Sequence, residues 1–147
     1  MKSENQVVLE FPSRSSNESF ARVAAAGFAM QLDPTLEELG DIKTAVSEAV
    51  TNAIIHGYPD CIGRIVMKLR IREGNVMEII VKDWGVGIAD VEQARKPMFT
   101  TGNDERSGMG FTIMESFMDT IRVKSAPQKG TTVTLKKLIS TRMGERK

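Results

Sequence analysis

Cysteine, histidine, tryptophan and tyrosine each occur once in this 147-residue chain. A single cysteine, Cys61, excludes an internal disulfide framework, and one cysteine with one histidine excludes a structural zinc site built from those ligands. No apolar run approaches the roughly 20 residues that cross a bilayer, and no stretch reads as a secretory leader. The chain is therefore expected to be cytoplasmic. A surplus of either charge is missing too: 20 Lys+Arg stand against 19 Asp+Glu, a net charge of +1. That balance argues against an extended surface for nucleic acid or membrane. Like charges gather only in the tail from Arg142 to Lys147, which reads as a frayed terminus.

What is present suffices for one domain, expected over residues 1–147, with a core that needs no staples. Gln6 to Phe11 is β-prone and ends at Pro12, an edge strand. Ser15, Ser16 and Asn17 are cap candidates for a helix to about Gln31, with Phe20, Val23, Ala24, Gly27 and Phe28 as its apolar stripe. On another face Glu18 and Arg22 stand one turn apart, at ion-pair spacing. Asp33-Pro34 breaks that helix, and Pro34-Thr35 opens the longest helical pattern. In it Leu39, Ile42, Val46, Ala49, Val50, Ala53 and Ile54 recur at three- and four-residue steps, one buried stripe.

Gly57 to Asp60 ends the long helix. Arg64–Arg72 and Val76–Val81 alternate as the arms of a hairpin around Glu73-Gly74-Asn75, and Asp90–Arg95 allows a short helix. A helix is expected after Gly110, running to about Met118, then two more strands, Thr120–Ser125 and Thr131–Leu138, joined by a turn. The order lacks a βαβ rhythm. It predicts an α+β sandwich, with one mixed, mainly antiparallel sheet and helices on one face.

Four segments carry chemistry. Helix geometry places Glu48 and Asn52 only ~40° apart, away from the buried stripe; alone, such a pair reads as a solvated polar face. Asp83-x-Gly85-x-Gly87 sets a carboxylate at a strand end before two glycines that let backbone approach a flat ligand. The carboxylate can accept hydrogen bonds from an exocyclic amino group; the plain alternative is an Asp-Gly turn. Ser107-Gly108-Met109-Gly110 precedes a helix, so its N–H groups could hold phosphate, or it is an ordinary glycine-rich helix start. Gly130-Thr131-Thr132 alone is a turn and a strand. A Walker-type phosphate loop is absent.

Together these segments resemble, in order and interval, the four boxes of the GHKL (Bergerat) ATPase/kinase superfamily. The resemblance implies Mg²⁺ on Asn52, adenine against Asp83, glycine boxes at Gly85/Gly87 and at Ser107, Gly108 and Gly110, and Thr131 near the base. It implies an ATP lid over about 89–107, with Arg106 clamping phosphate. The chain lacks room for the transmitting domains of GHKL chaperones and topoisomerases. It also lacks the helical histidine domain of sensor kinases, its only histidine being His56 within the asparagine box.

Glu48 to Tyr58, Phe99-Thr100-Thr101 and Arg106 to Glu115 are similar to the small anti-sigma branch that phosphorylates a protein serine, the similarity covering nearly the whole chain. Departures fall at Pro59–Arg64, at Trp84 and at Gly102-Asn103-Asp104. The branch implies a homodimer that binds a sporulation sigma factor of the sigma-F type through Arg22 and Glu18. It also implies phosphorylation of an anti-anti-sigma partner from Mg-ATP, with Glu48 as catalytic base and ADP as product. A nucleotide-gated sigma-binding module without kinase activity stays open, as does a kinase of this branch in another partner-switching pathway. Direct contact with nucleic acid or membrane is not expected.

Overall fold

The computed structural model describes residues 3–96 and 105–140, with side chains over 4–96 and 110–140. Five strands form one sheet: β1 (Ser3–Pro12), β2 (Arg64–Arg72), β3 (Val76–Asp83), β4 (Thr120–Ala126) and β5 (Gly130–Leu138), in the order β1-β2-β3-β5-β4. The helices are α1 (Ser16–Ala29), α2 (Leu36–Asn52), α3 (Val91–Arg95) and α4 (Glu105–Phe117). No described helix is long and apolar enough to cross a membrane.

The α+β class and the single helical layer are as the sequence predicts, with one refinement. Every ladder is antiparallel, so the sheet is not mixed. The connection through α3 and α4 does return β4 parallel to β3, but β5 folds back into the gap and pairs with both. β1 lies at an edge, as Pro12 requires.

Strand alternation separates the two faces. Ile65, Met67, Leu69 and Ile71 of β2 pack with Met77, Ile79 and Val81 of β3 and Val133 and Leu135 of β5, all buried under the helices. On the open face Glu78 is buried among three cations from the two flanking strands: Arg70 at 3.4 Å and Arg72 at 3.6 Å on β2, and Lys136 at 3.8 Å on β5. These partners offset the cost of taking its charge out of water.

α2 runs through the core on Ile42, Ala45, Val46, Ala49 and Val50. Thr35 starts it with a reciprocal capping box: the Thr35 hydroxyl accepts from Glu38 N at 3.0 Å, and Glu38 Oε1 accepts from Thr35 N at 2.8 Å. The other Glu38 oxygen accepts from Ser140 N at 2.7 Å, so the same cap holds the end of the described chain.

α1 departs from the reading of its stripe. Its buried face is Ala21, Ala25, Ala26, Phe28 and Ala29, while Phe20 and Val23 are 58% and 63% exposed. Small side chains let α1 lie close on α2, which turns the bulkier apolar residues outward. Glu18 and Arg22 form no ion pair with each other among the described residues. Glu18 instead accepts from the Thr51 hydroxyl at 2.5 Å, and Arg22 donates to Ser47 Oγ at 3.2 Å and Ser19 Oγ at 3.0 Å. Both side chains thus seam α1 to the turn of α2 that carries Glu48 and Asn52.

α3 is capped by Asp90, which accepts from Gln93 N, and Arg95 binds Glu115 of α4 through two nitrogens at 3.0 and 3.1 Å. α4 begins at Glu105, earlier than the glycines suggest, so Ser107, Gly108 and Gly110 lie inside it and not in a loop before it. The free N–H groups of such a helix are those of its first turn, residues 105–107. Residues 97–104 of the expected lid fall outside the described residues, and so does the tail from Arg142 to Lys147.

Candidate functional site

Past Asn52, α2 widens into a π-turn over Ala53–Gly57. Such widened turns recur where a helix must reposition side chains for a ligand. The turn delivers Gly57 against the end of β3, where a Cβ would stand 2.9 Å from the Asp83 carboxyl carbon. Only glycine leaves room there for the carboxylate.

Three further glycines close on the same point. A Cβ on Gly85 would lie 1.9 Å from the Gly57 carbonyl oxygen, one on Gly87 1.9 Å from Ala126 O, and one on Gly130 2.1 Å from Asp83 O. Gly87 and Gly130 also have φ of 77° and 85°, which L side chains rarely adopt. Val86 stitches the loop on both sides, donating from N to Gly57 O at 2.9 Å and accepting at O from Gln128 N at 2.6 Å. Tyr58 braces it from behind: its hydroxyl donates to Arg64 O at 2.6 Å and accepts from Trp84 N at 2.7 Å. The Trp84 ring lies against Arg64, 4.1 Å from the guanidinium carbon.

Between this frame, α2 and α4 opens a cavity of about 460 Å³, the size of a small-molecule site. Its walls are mainly apolar, with Ala49, Ala53, Val81, Ile88, Phe111 and Val133 prominent. Asp83 and Thr131, neighbours across β3 and β5, both line it and supply polar atoms side by side. Burial pushes the Asp83 carboxyl above its ordinary range, opposed by the backbone N–H groups of Gly85 and Thr131. The Gly85 N–H donates to Asp83 Oδ1 at 2.9 Å. A dry carboxylate beside backbone-only surface is suited to an amino group on a flat ring.

Asn52 also lines the cavity, and its buried Nδ2 has no hydrogen-bond partner. Gly110 packs on that amide: a Cβ there would lie 3.1 Å from Nδ2 and 3.2 Å from Oδ1. A buried polar atom left unmatched calls for a partner the protein itself does not supply. Among the described residues no group of three His, Cys, Asp or Glu could hold a metal. Nδ2 is a donor, so the partner it calls for is an acceptor such as a phosphate oxygen, while the amide oxygen is the atom that would take a cation such as Mg²⁺ whose shell is completed by phosphates and water.

The structure brings Asn52, Asp83, Gly87 and Thr131 to one cavity, with Gly85 and Gly110 shaping its frame. Glu48 is half-buried one turn before Asn52 and is not among the lining residues. The side chains of Arg106 and Ser107 lie outside the described residues, and of Gly108 only the helical backbone is described. Sequence reasoning did not single out Gly57 and Gly130 as site-building, nor Ser125, whose hydroxyl meets Ile88, Gly130 and Thr131. It read His56, which lines the cavity, only as part of the asparagine box.

Comparison with known proteins agrees with this geometry. The pattern of the histidine kinase-like ATPase domain matches residues 11–137. The chain is 59% identical to the anti-sigma F factor of Geobacillus kaustophilus over 137 residues, 92% of this chain and 94% of that protein. It is 54% identical to the anti-sigma F factor of Bacillus subtilis over 138 residues, with the same coverage. It is 56% identical to that of Thermoanaerobacter pseudethanolicus over 142 residues, 96% of this chain and 99% of that one.

Among solved structures, the RsbU and RsbW domains of a Mycobacterium tuberculosis protein align with a TM-score of 0.66 at 18% identity, covering 92% of this chain and 32% of that one. The histidine kinase domain of the Erythrobacter litoralis blue-light-activated kinase aligns with a TM-score of 0.54 at 20% identity, covering 86% and 63%. At such identity these two share the fold alone. A domain match over most of the chain, joined to identities above one half across nearly full lengths, places this chain in the histidine kinase-like ATPase family, among the anti-sigma F factors.

Proposed function

We propose that this chain binds a sporulation sigma factor of the sigma-F type and holds it inactive, and that it phosphorylates a serine of an anti-anti-sigma partner from Mg-ATP. The observation that supports the reading most is the cavity itself, lined by both a buried carboxylate in a glycine frame and an asparagine whose amide nitrogen lacks a partner. The names of the relatives support the sigma factor as partner.

In this reading Asp83 accepts from the adenine amino group and Thr131 stands beside it. Gly85 and Gly87 clear room for the base. Asn52 would hold Mg²⁺ by its amide oxygen, and Arg106 with the free N–H of Ser107 would serve the phosphates under a lid over about 89–107, where Gly108 and Gly110 carry no side chain to obstruct them. Bound Mg-ATP supplies the transferable phosphoryl group, so the protein's work is mainly positioning and charge compensation. Glu48, one turn from Asn52, accepts the proton of the attacking serine hydroxyl at a carboxylate oxygen.

Sigma meets the α1 face through Arg22 and Glu18. Their bonds to Ser47 and Thr51 tie that contact to the helix bearing Glu48 and Asn52. The exposed Phe20 and Val23 of α1, with Met30 just past its end, support a homodimer. The cytoplasm is the compartment this reading requires.

The position of Glu48 outside the cavity wall favours one second reading, a nucleotide-gated sigma binder without kinase activity. Incubation with γ-labelled ATP, Mg²⁺ and the anti-anti-sigma protein separates the two. Label on the partner's serine, lost in Glu48→Gln, supports the kinase. ATP binding and sigma capture without label support the gated binder.

A further inference from the structure

We propose that Ser125 is a positioning residue for base recognition: it fixes the Thr131 hydroxyl as an acceptor facing the cavity, so that the site rejects purines with a carbonyl at C6. Asp83, Thr131 and Ser125 form one row across β3, β5 and β4 on the helix-covered face. The Ser125 hydroxyl makes three contacts: with Ile88 N at 2.7 Å, Gly130 O at 2.9 Å and Thr131 Oγ1 at 2.8 Å.

A hydroxyl has one proton and two lone pairs, so the directions of these bonds are determined. The Ile88 N–H can only donate, and it takes one lone pair. The Gly130 carbonyl can only accept, and it takes the one proton. Thr131 must then donate into the remaining lone pair. With its proton turned toward Ser125, Thr131 offers only lone pairs to the cavity it lines.

The cavity wall then presents two acceptors, the Asp83 carboxylate and Thr131. Such an edge suits an amino substituent and opposes a carbonyl oxygen in the same place. Removal of the Ser125 hydroxyl frees the Thr131 proton to rotate and donate to a 6-oxo group, which relaxes the discrimination. The inference rests on the nucleotide reading above and adds the residue that sets its selectivity.

The test is titration of ATP and of inosine triphosphate, which differ by amino against oxo at C6, followed by fluorescence of Trp84, the only tryptophan. The wild-type chain favours ATP. In Ser125→Ala the ATP-to-inosine preference falls about tenfold, the scale of one buried hydrogen bond exchanged, while Ser125→Thr, which keeps the hydroxyl, retains it.

An unchanged ratio in Ser125→Ala overturns the inference, whether both affinities hold or both fall together, because a merely structural serine moves both alike. Should the alanine variant not fold, Ser125→Cys is read the same way, its thiol being a weak partner for all three contacts. A wild-type chain that binds neither nucleotide overturns the nucleotide reading itself. Binding of ATP with an unchanged variant ratio overturns only the role of Ser125.

Discussion

Burial raises the affinity of the Asp83 carboxyl for its proton, so the group that faces the ligand works against the fold that holds it. Its folded pKa lies above the ordinary 3.8. The folded state therefore binds the proton more tightly than the unfolded chain. That stability is present below the ordinary value and is lost as pH rises through the raised one. Asp83→Asn should melt higher than the wild type at neutral pH, with the advantage shrinking on acidification toward 3.8. The same variant should lose most of its ATP affinity. Melting curves across pH check the first statement and titration the second.

At Gly85 the constraint is steric and of opposite sign. Gly85→Ala drives a Cβ into the Gly57 carbonyl, a backbone atom with no rotamer to yield. A loss of at least ~2 kcal/mol is expected, by analogy with overpacked cores, read as a fall in the denaturation midpoint. The motif Asp83-x-Gly85-x-Gly87 was legible for this reason, since glycines at such spacing mark where backbone must approach backbone. Ser125 was not. A lone serine in a strand gives no hint of its partners, which come from three separate segments.

Elements were read with uneven success, and the failures have physical causes. α2 was legible because its apolar stripe keeps one phase and Pro34-Thr35 marks its start, a start the structure secures with the Thr35–Glu38 box. Thr35→Ala should cost ~1 kcal/mol, as for other caps, and lower the melting temperature by roughly 2–4 °C for a chain of this size. Glu38→Ala should cost more, since it also releases Ser140. α1 misled because it carries two apolar faces, and bulk alone does not rank them. Close helix packing selected the alanines. α4 misled in the other direction: its glycines read as loop, yet Gly110 sits inside the helix so that the Asn52 amide can approach. The Gly57 contact with Asp83 joins residues far apart in sequence, beyond any local pattern.

On the scale of the whole molecule, the antiparallel sheet carries its helices on one face, as alternation along the strands implied, and leaves charged residues on the other. The outward face of α1 and the turn after it leave Phe20, Val23 and Met30 each more than half exposed. If this face joins two copies, Val23→Asp should turn a dimer into a monomer in sedimentation while leaving ATP affinity within about twofold, since Val23 does not line the cavity. A variant that still sediments as a dimer would place the interface elsewhere.

The proposed mechanism divides labour across one turn of α2, with Asn52 serving the bound nucleotide through Mg²⁺ and Glu48 serving the transfer step. Calorimetric titration of ATP with Mg²⁺ into the wild type, Glu48→Gln and Asn52→Ala tests it directly. Glu48→Gln should bind within about twofold of the wild type while Asn52→Ala loses tenfold or more, at least ~1.4 kcal/mol relative to the wild type. Equal loss of affinity in both variants would contradict it.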